Sequence, residues 1–315
     1  MPPRTTTRGR RRRLHAAVTG AAGYLGRVLC RRLGADARFG SVLALDRQAW
    51  SPPAGAEARV LDINDPALAD ALQGIDVMFH LAFALGSSAA DAEMQRANID
   101  GARAACEAVA AAGVRTLVVS SSVSAYGALP DNPTRLVETD PLRAGPGFRY
   151  ARHKAAVEQM LDRFEAEHPR LRVARLRIAT VVGPPPRPGA VSEVLALPVL
   201  PLPRSFRAQF VHVEDVAEAL MLAALGDNAR GAYNIAADPP LDAAVLAAIS
   251  GQRHLRVPGA VFALLSSAAH WLRLTDPDRV DFLRHPILVD CARARDELGW
   301  RTRYDGEACL RALLE

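Results

Sequence analysis

Cysteine is scarce in this chain of 315 residues. There are four, Cys30, Cys106, Cys291 and Cys309, and no two stand at a CxxC spacing. That argues against a zinc site and against a disulfide-stapled scaffold, and it suits a reducing cytoplasm. Long apolar runs are also lacking: none reaches the roughly 18 residues that a membrane span needs. The most apolar tract, Val257 to Leu274, is broken by Pro258, His270 and Arg273. Half of the residues are nevertheless hydrophobic and 23% are charged, which excludes a disordered or collagen-like chain. A chain of this length buries a large core, as one domain or as a domain with a smaller lobe.

Excess charge is missing from most of the chain. The formal net charge is +5, but six arginines (Arg4, Arg8, Arg10, Arg11, Arg12 and Arg13) and no acid lie within residues 1–13. The remainder is close to neutral, so neither nucleic acid nor a membrane surface is an expected partner. The arm reads as a disordered leader, or as the product of a start codon placed too early. A twin-arginine export signal has a similar start. Here the apolar stretch that follows is the first strand of the fold, and cleavage would destroy it.

Short valine- and leucine-rich segments alternate with helical stretches. Strands are expected at Leu14–Thr19, Ser41–Leu45, Ala58–Leu61, Ile75–Leu81, Thr116–Ser120 and Arg172–Ile178. Helices are expected at Tyr24–Leu33, Pro66–Leu72, Ala89–Ala112 and Ala151–Glu167. This alternation predicts an α/β fold, a doubly wound parallel sheet of the Rossmann type covered on both faces. Prolines crowd residues 184–203 and exclude a regular helix there, so a long loop over the site is expected. Beyond it, Glu214–Leu225 reads as a helix, Ala232–Ala236 as a strand, and the rest as mostly helical.

The segment Thr19-Gly20-Ala21-Ala22-Gly23-Tyr24-Leu25-Gly26 lies between the first strand and the first helix. Gly20 permits the tight turn, Gly23 lets a pyrophosphate approach the backbone, and Gly26 lets the helix pack on the sheet. The backbone at Ala22 and the helix start at Tyr24 and Leu25 then face the phosphates. Asp46 ends the second strand, 20 residues after Gly26. A carboxylate there accepts hydrogen bonds from an adenosine ribose and repels a 2′-phosphate, so NAD is favoured over NADP. Arg47, the next residue, is the group that would grip a 2′-phosphate instead. Asp62 and Ile63, after the third strand, are expected near the adenine.

Lysine is the scarcest charged residue. Among 39 lysines and arginines the chain has one lysine, Lys154, four residues after Tyr150. That spacing puts both side chains on one helix face, a turn apart. A tyrosine with a free pKa of about 10 is too weak an acid for proton transfer near neutral pH. An adjacent ammonium stabilises the phenolate and lowers that value, and arginine is not an equal substitute. The fifth strand runs into Ser120-Ser121-Ser122-Val123-Ser124, at the sheet edge where open α/β sheets bind ligands. A hydroxyl there can steady a substrate oxygen; the composition does not select which serine. No metal-ligand cluster is present in the sequence pattern.

Together these motifs resemble the extended short-chain dehydrogenase/reductase family, in its NAD-dependent epimerase/dehydratase branch, over about residues 14–308. Residues 19–26 match its glycine loop and Phe79-His80-Leu81-Ala82 its strand-four motif. Asn98-Ile99-Asp100-Gly101 is similar to its Asn-Val-x-Gly helix motif, and residues 120–127 to its serine strand. Phe210–Ala217 and Asp296–Trp300 resemble its two C-terminal signatures. The resemblance implies that Ser122 is the catalytic hydroxyl and Tyr150 the proton carrier. It implies that Lys154 tunes that tyrosine and holds the nicotinamide ribose. Leu81, Ala82 and Asn98 are implied on the cofactor side. The chain departs from nucleotide-sugar enzymes of the family in having Thr180 where they place asparagine. It also has Ala208-Gln209 where they place Arg-Asp. Arg204, Arg207 and Arg284 remain as possible diphosphate ligands, whereas Phe83 and the leucine/proline segment 194–203 suggest a less polar substrate.

The expected organisation is a basic arm over 1–13, an NAD-binding domain over 14–180, and a mainly substrate-binding lobe over 181–315 interleaved with the sheet. The expected enzyme is an epimerase or dehydratase that retains its NAD and acts on a small molecule, a sugar or nucleotide sugar. A dehydrogenase or ketoreductase of a less polar alcohol or ketone is the alternative, and a non-catalytic NAD sensor a third. A cytoplasmic location is expected from the cysteines, and a homodimer formed through Ala89–Ala112 and Ala151–Glu167 is implied by the resemblance.

Overall fold

The computed structural model describes residues 12–84, 91–145, 148–184, 199–262, 264 and 282–314. Most of the arginine arm, much of the proline-rich segment and the tract around Trp271 lie outside them. Seven strands form one parallel sheet. They are β1 (Leu14–Thr19), β2 (Phe39–Asp46), β3 (Ala56–Val60), β4 (Val77–His80), β5 (Thr116–Ser122), β6 (Arg172–Ile178) and β11 (Gly231–Ile235). Their order across the sheet is β11-β6-β5-β4-β1-β2-β3. The order reverses on either side of β1, and there the crevice above the strand ends opens for a ligand.

Strand periodicity explains why both faces are covered. Ala16 and Val18 of β1, Val77 and Phe79 of β4, and Val118 of β5 pack into one core. Their alternating neighbours Ala17, Met78, Leu117 and Val119 pack into a second. Successive side chains of a strand point to opposite faces, so a strand apolar at every position demands a helix on each side. Helix α1 (Tyr24–Ala35) contributes Leu29 and Leu33 to the first core, and α6 (Val213–Leu225) contributes Val216 and Leu220. On the other face stand α4 (Gly101–Ala111), with Val109, and α5 (Arg149–Glu167), with Leu161.

Three elements depart from expectation. The helix expected over 89–112 is, in its described part, a short α3 (Asp91–Gln95), a π-turn at Arg96–Asp100 and then α4. A π-turn widens the helix by one residue, which delivers the fully buried Asn98 to the interior. The loop expected over 184–203 ends in a strand, β8 (Val199–Pro203), paired in parallel with β13 (Arg253–Val257), where a helix was expected. Pro201 and Pro203 are tolerated because, among the described residues, each strand of this two-stranded sheet has one partner, so a missing N–H on the outer edge costs no ladder bond. Leu200, Leu202, Phe206 and Phe210 join Leu246 and Leu310 in a separate small core of the C-terminal part. Among the described residues no helix is long and apolar enough to cross a membrane.

Candidate active site and cofactor crevice

The glycine loop closes against the end of β4. Gly20 has a φ of +70°, and a Cβ there would lie 2.7 Å from the Ala82 nitrogen, so only glycine fits. Leu81 N–H donates to the Thr19 carbonyl at 3.2 Å, which fixes Leu81 and Ala82 beside the loop. Gly23 is the N-cap of α1 and no side chain caps that end, leaving Tyr24, Leu25 and Gly26 to open the helix toward the crevice. Asp46 Oδ2 accepts the Ala22 N–H at 2.9 Å and Oδ1 accepts that of Gln48 at 3.0 Å. A carboxylate offers about four acceptor positions, so two remain for ribose hydroxyls. An uncapped helix start, a glycine-lined backbone and a carboxylate at the next strand end fit a dinucleotide of the NAD type.

The remaining cofactor candidates are less uniform. Arg47 is exposed. Asp62 is exposed and accepts the Asn64 N–H at 2.9 Å, as a turn residue. Ile63 packs where a side chain on Gly101 would intrude. Asn98 grips the backbone after β4: its Oδ1 accepts the Ala84 N–H at 2.7 Å and its Nδ2 donates to the Ala84 carbonyl at 3.3 Å. Thus Asn98 sets the course of the segment that carries Ala82 and Phe83.

Ser122, Tyr150 and Lys154 come together at the C-terminal end of β5. The Ser122 hydroxyl bonds the Tyr150 phenol and accepts the Ser124 N–H at 3.2 Å. Lys154 is 5% exposed, and its Nζ donates to the Ser120 carbonyl at 2.7 Å. The ammonium also stands 3.6 Å from the centre of the Phe83 ring and 5.8 Å from that of Tyr150. Burial pushes the Lys154 amine down to about 7, against the pull of Glu158. Burial likewise pushes the Tyr150 phenol up, with the Ser122 bond opposing it. Desolvation thus acts on both groups, a contribution that the tyrosine–lysine spacing does not display. His80, bonded to Thr19 Oγ1 at 2.9 Å, is pushed down to about 3 by burial and by the Lys154 charge, and stays neutral.

Aromatic side chains wall the outer side of this cluster. The Phe83 and Phe148 rings lie 5.3 and 5.7 Å from that of Tyr150, and Phe282 lies 5.0 Å from Phe148. The polar groups that the resemblance led one to compare are used otherwise. Thr180 is exposed on a short strand, β7 (Thr180–Val182). Gln209 is buried and accepts the Val289 N–H at 2.7 Å. His212 caps α6 through the Glu214 N–H at 3.3 Å and stacks 3.7 Å from Tyr304, a fixed turn residue. Among the described residues no three potential ligands gather to hold a metal ion.

Sequence reasoning passed over two participants, Glu158 and Arg177. Glu158 is 1% exposed and is chelated by the Arg177 guanidinium, with Nη2 to Oε2 at 2.7 Å and Nε to each carboxylate oxygen at 3.0 Å. The available signal was the spacing of Glu158, four residues beyond Lys154 and eight beyond Tyr150.

Residues 16–236 match the profile described as the NAD dependent epimerase/dehydratase family. The uncharacterized protein Rv0501 of Mycobacterium tuberculosis is 30% identical over 304 residues, spanning 91% of this chain and 80% of that protein. The dTDP-6-deoxy-L-talose 4-dehydrogenase (NAD(P)(+)) of Kitasatospora kifunensis is 30% identical over 321 residues, or 94% and 93% of the two chains. A UDP-glucose-4-epimerase from Stenotrophomonas maltophila, crystallised with NAD and formylated UDP-arabinopyranose, superposes with a TM-score of 0.74. It shares 25% identity, and 95% of this chain and 96% of that one are covered.

Proposed function

Since this chain belongs to the NAD dependent epimerase/dehydratase family, we propose that it interconverts a secondary hydroxyl and a keto carbon in a sugar or nucleotide sugar, retaining its cofactor through the cycle. That it is an NAD-dependent enzyme follows from the family and its relatives. The observation that carries the proposal is the gathering of Ser122, Tyr150 and Lys154 at the end of β5, one strand away from β4 and its glycine-loop contact. When bound, NAD supplies the hydride acceptor and donor. Gly20, Gly23 and the start of α1 would hold its pyrophosphate, and Asp46 a ribose.

Tyr150 moves the proton of the substrate hydroxyl through its phenolic oxygen. Ser122 donates to the same substrate oxygen, and its bond to the phenol orients both groups. The Lys154 ammonium stabilises negative charge on the phenol; its Ser120 anchor keeps it from swinging away. General acid–base transfer of this kind contributes about 10²–10⁴-fold in rate. Tyr150→Phe should therefore abolish turnover and leave NADH affinity nearly unchanged; turnover that survives refutes the assignment. Purification without added cofactor, denaturation and chromatography of the released nucleotide tests retention. Stoichiometric NAD supports a closed redox cycle, and an empty protein that binds NADH reversibly opposes it.

The sugar-nucleotide reading is supported by what the Kitasatospora and Stenotrophomonas relatives act on or bind. One observation favours a second reading. The Phe83, Phe148 and Phe282 rings beside Tyr150 suit a less polar alcohol or ketone, with a cofactor that exchanges. Competition of UDP-sugars against aryl ketones for the enzyme separates the two. We also read the protein as a cytoplasmic homodimer paired through α4 and α5. The four free, buried cysteines suit that compartment, and light scattering that reports a monomer removes the dimer.

A further inference from the structure

Tyr150, Lys154 and Glu158 recur at four-residue intervals along α5, so they form one strip on one helix face. That strip meets three consecutive residues at the end of β5. Tyr150 bonds the Ser122 hydroxyl. Lys154 Nζ donates to the Ser120 carbonyl. The Ser121 hydroxyl donates to Glu158 Oε1. The catalytic pair is thus two thirds of a longer lock between helix and strand.

The third member is held from behind. Arg177 of β6 grips both Glu158 oxygens and is itself bonded to the Tyr126 hydroxyl at 2.8 Å and the Glu138 carbonyl at 3.0 Å. A buried carboxylate is costly unless paired, and a guanidinium fork with a hydroxyl satisfies it. Here that pair stands one helix turn behind the Lys154 ammonium. The other groups around Lys154 carry no negative charge. They are the neutral His80 on β4, the Tyr150 phenol on α5, the Ser120 carbonyl on β5 and the Phe83 ring. His153, the neighbour on α5, turns to Asn98, with Nδ1 3.2 Å from the amide nitrogen. Arg177 faces Glu158 from β6 and spends its charge there.

We infer that Glu158, fixed by Arg177, is a positioning residue of the reaction: it locks α5 onto the β5 serines and supplies the negative charge that faces the Lys154 ammonium. The inference rests on the reading that Tyr150 and Lys154 carry out the chemistry. Without Glu158 the ammonium loses its proton at lower pH, and the alkaline limb of turnover moves down with it. Burial alone would then govern Lys154, and the neutral amine could not support a phenolate.

Lys154 is the only lysine in the chain, which permits a test that needs no substrate. Lysine labelled with ¹³C at Cε gives a single side-chain resonance, and its shift against pH reports the ammonium directly. In the unaltered protein the midpoint is expected at about 7. Glu158→Gln should lower it by about one pH unit, the scale of one charge interaction across a partly buried helix turn. Ser121→Ala, which removes a Glu158 bond and keeps its charge, should leave the midpoint where it was. If the glutamine variant does not fold, Glu158→Asp decides, because it retracts the charge by one methylene and should give a smaller downward shift. A folded glutamine variant with an unmoved or raised midpoint overturns the inference, as does an unmoved aspartate variant when it alone folds. Failure of the catalytic reading shows elsewhere, as turnover by Tyr150→Phe.

Discussion

Replacing Gly26 with alanine adds one methyl group where α1 and the loop leave no room. The new Cβ would stand 2.8 Å from both the Ala21 Cα and the Ala21 carbonyl oxygen, and closer still to the Gly20 oxygen. All three are backbone atoms, so no rotamer change relieves the contact. Heavy-atom contacts settle at about 3.5–4.0 Å, so α1 must lift from the loop by roughly an ångström. Overpacking of this kind costs about 1–3 kcal/mol of stability. The effect on the cofactor is larger in proportion. The loop N–H groups and the helix start are displaced together, and N–H···O bonds weaken beyond about 3.2 Å. Losing two charge-assisted bonds at about 1.5–3 kcal/mol each raises the NADH Kd by about a hundredfold or more. Fluorescence titration with NADH measures this, and a thermal melt run in parallel measures the stability cost. Gly74→Ala is the control: Gly74 has a φ of +78° and nothing within 4 Å of an added Cβ. It should lose about 1–2 kcal/mol to left-handed backbone strain and keep its NADH affinity. A Gly26→Ala protein that binds NADH within about threefold of the unaltered chain, about 0.7 kcal/mol by the same conversion, refutes the assignment of this loop to the pyrophosphate.

Two further substitutions probe separate steps of the argument. Asp46→Asn keeps a side-chain acceptor for the Ala22 N–H but loses the charge that repels a 2′-phosphate; the preference for NADH over NADPH should fall by about tenfold, or about 1.4 kcal/mol, in paired Kd measurements, and an unchanged ratio counts against Asp46 as the selector. Asp242 caps the helix Ala243–Ser250, accepting the Ala244 and Val245 N–H groups at 2.9 Å; Asp242→Ala should cost about 1 kcal/mol. The Val245 N–H holds the Asp242 carboxyl below its ordinary value, so that contribution is complete above about pH 4 and disappears as pH falls through the lowered value. The melting difference between the two proteins should therefore be constant near neutrality and shrink in acid; a difference that grows in acid contradicts the cap.

Much of the cofactor half was readable in the chain because its signals are local. The glycine spacing, the acid at the end of β2 and the alternation of short apolar strands with helices each depend on a few neighbouring residues. The strand that rises from a proline-rich stretch at Val199–Pro203 was not readable, because its partner β13 is about fifty residues away and proline counts against any strand in isolation. The π-turn at Arg96–Asp100 was hidden for a similar reason: it is stabilised by Asn98 reaching the backbone of Ala84, a contact no helical periodicity announces. The depth at which Tyr150 and Lys154 are buried was not readable, because a sequence displays neighbouring charge but not desolvation.

The sequence by itself determined the architecture of the crevice and the identity of the groups around it. Strand period, helix period and glycine placement are short-range properties, and the single lysine singled out its helix face against a background of arginine. Only the tertiary structure decided how those groups are electrically set. Glu158 lies behind Lys154 because α5 packs on β5, and Arg177 reaches it because β6 lies next in the sheet. The Phe83 ring covers the ammonium because Asn98 steers the chain after β4. Desolvation and long-range pairing are properties of packed surfaces, and packing joins residues whose separation in sequence carries no trace of their contact.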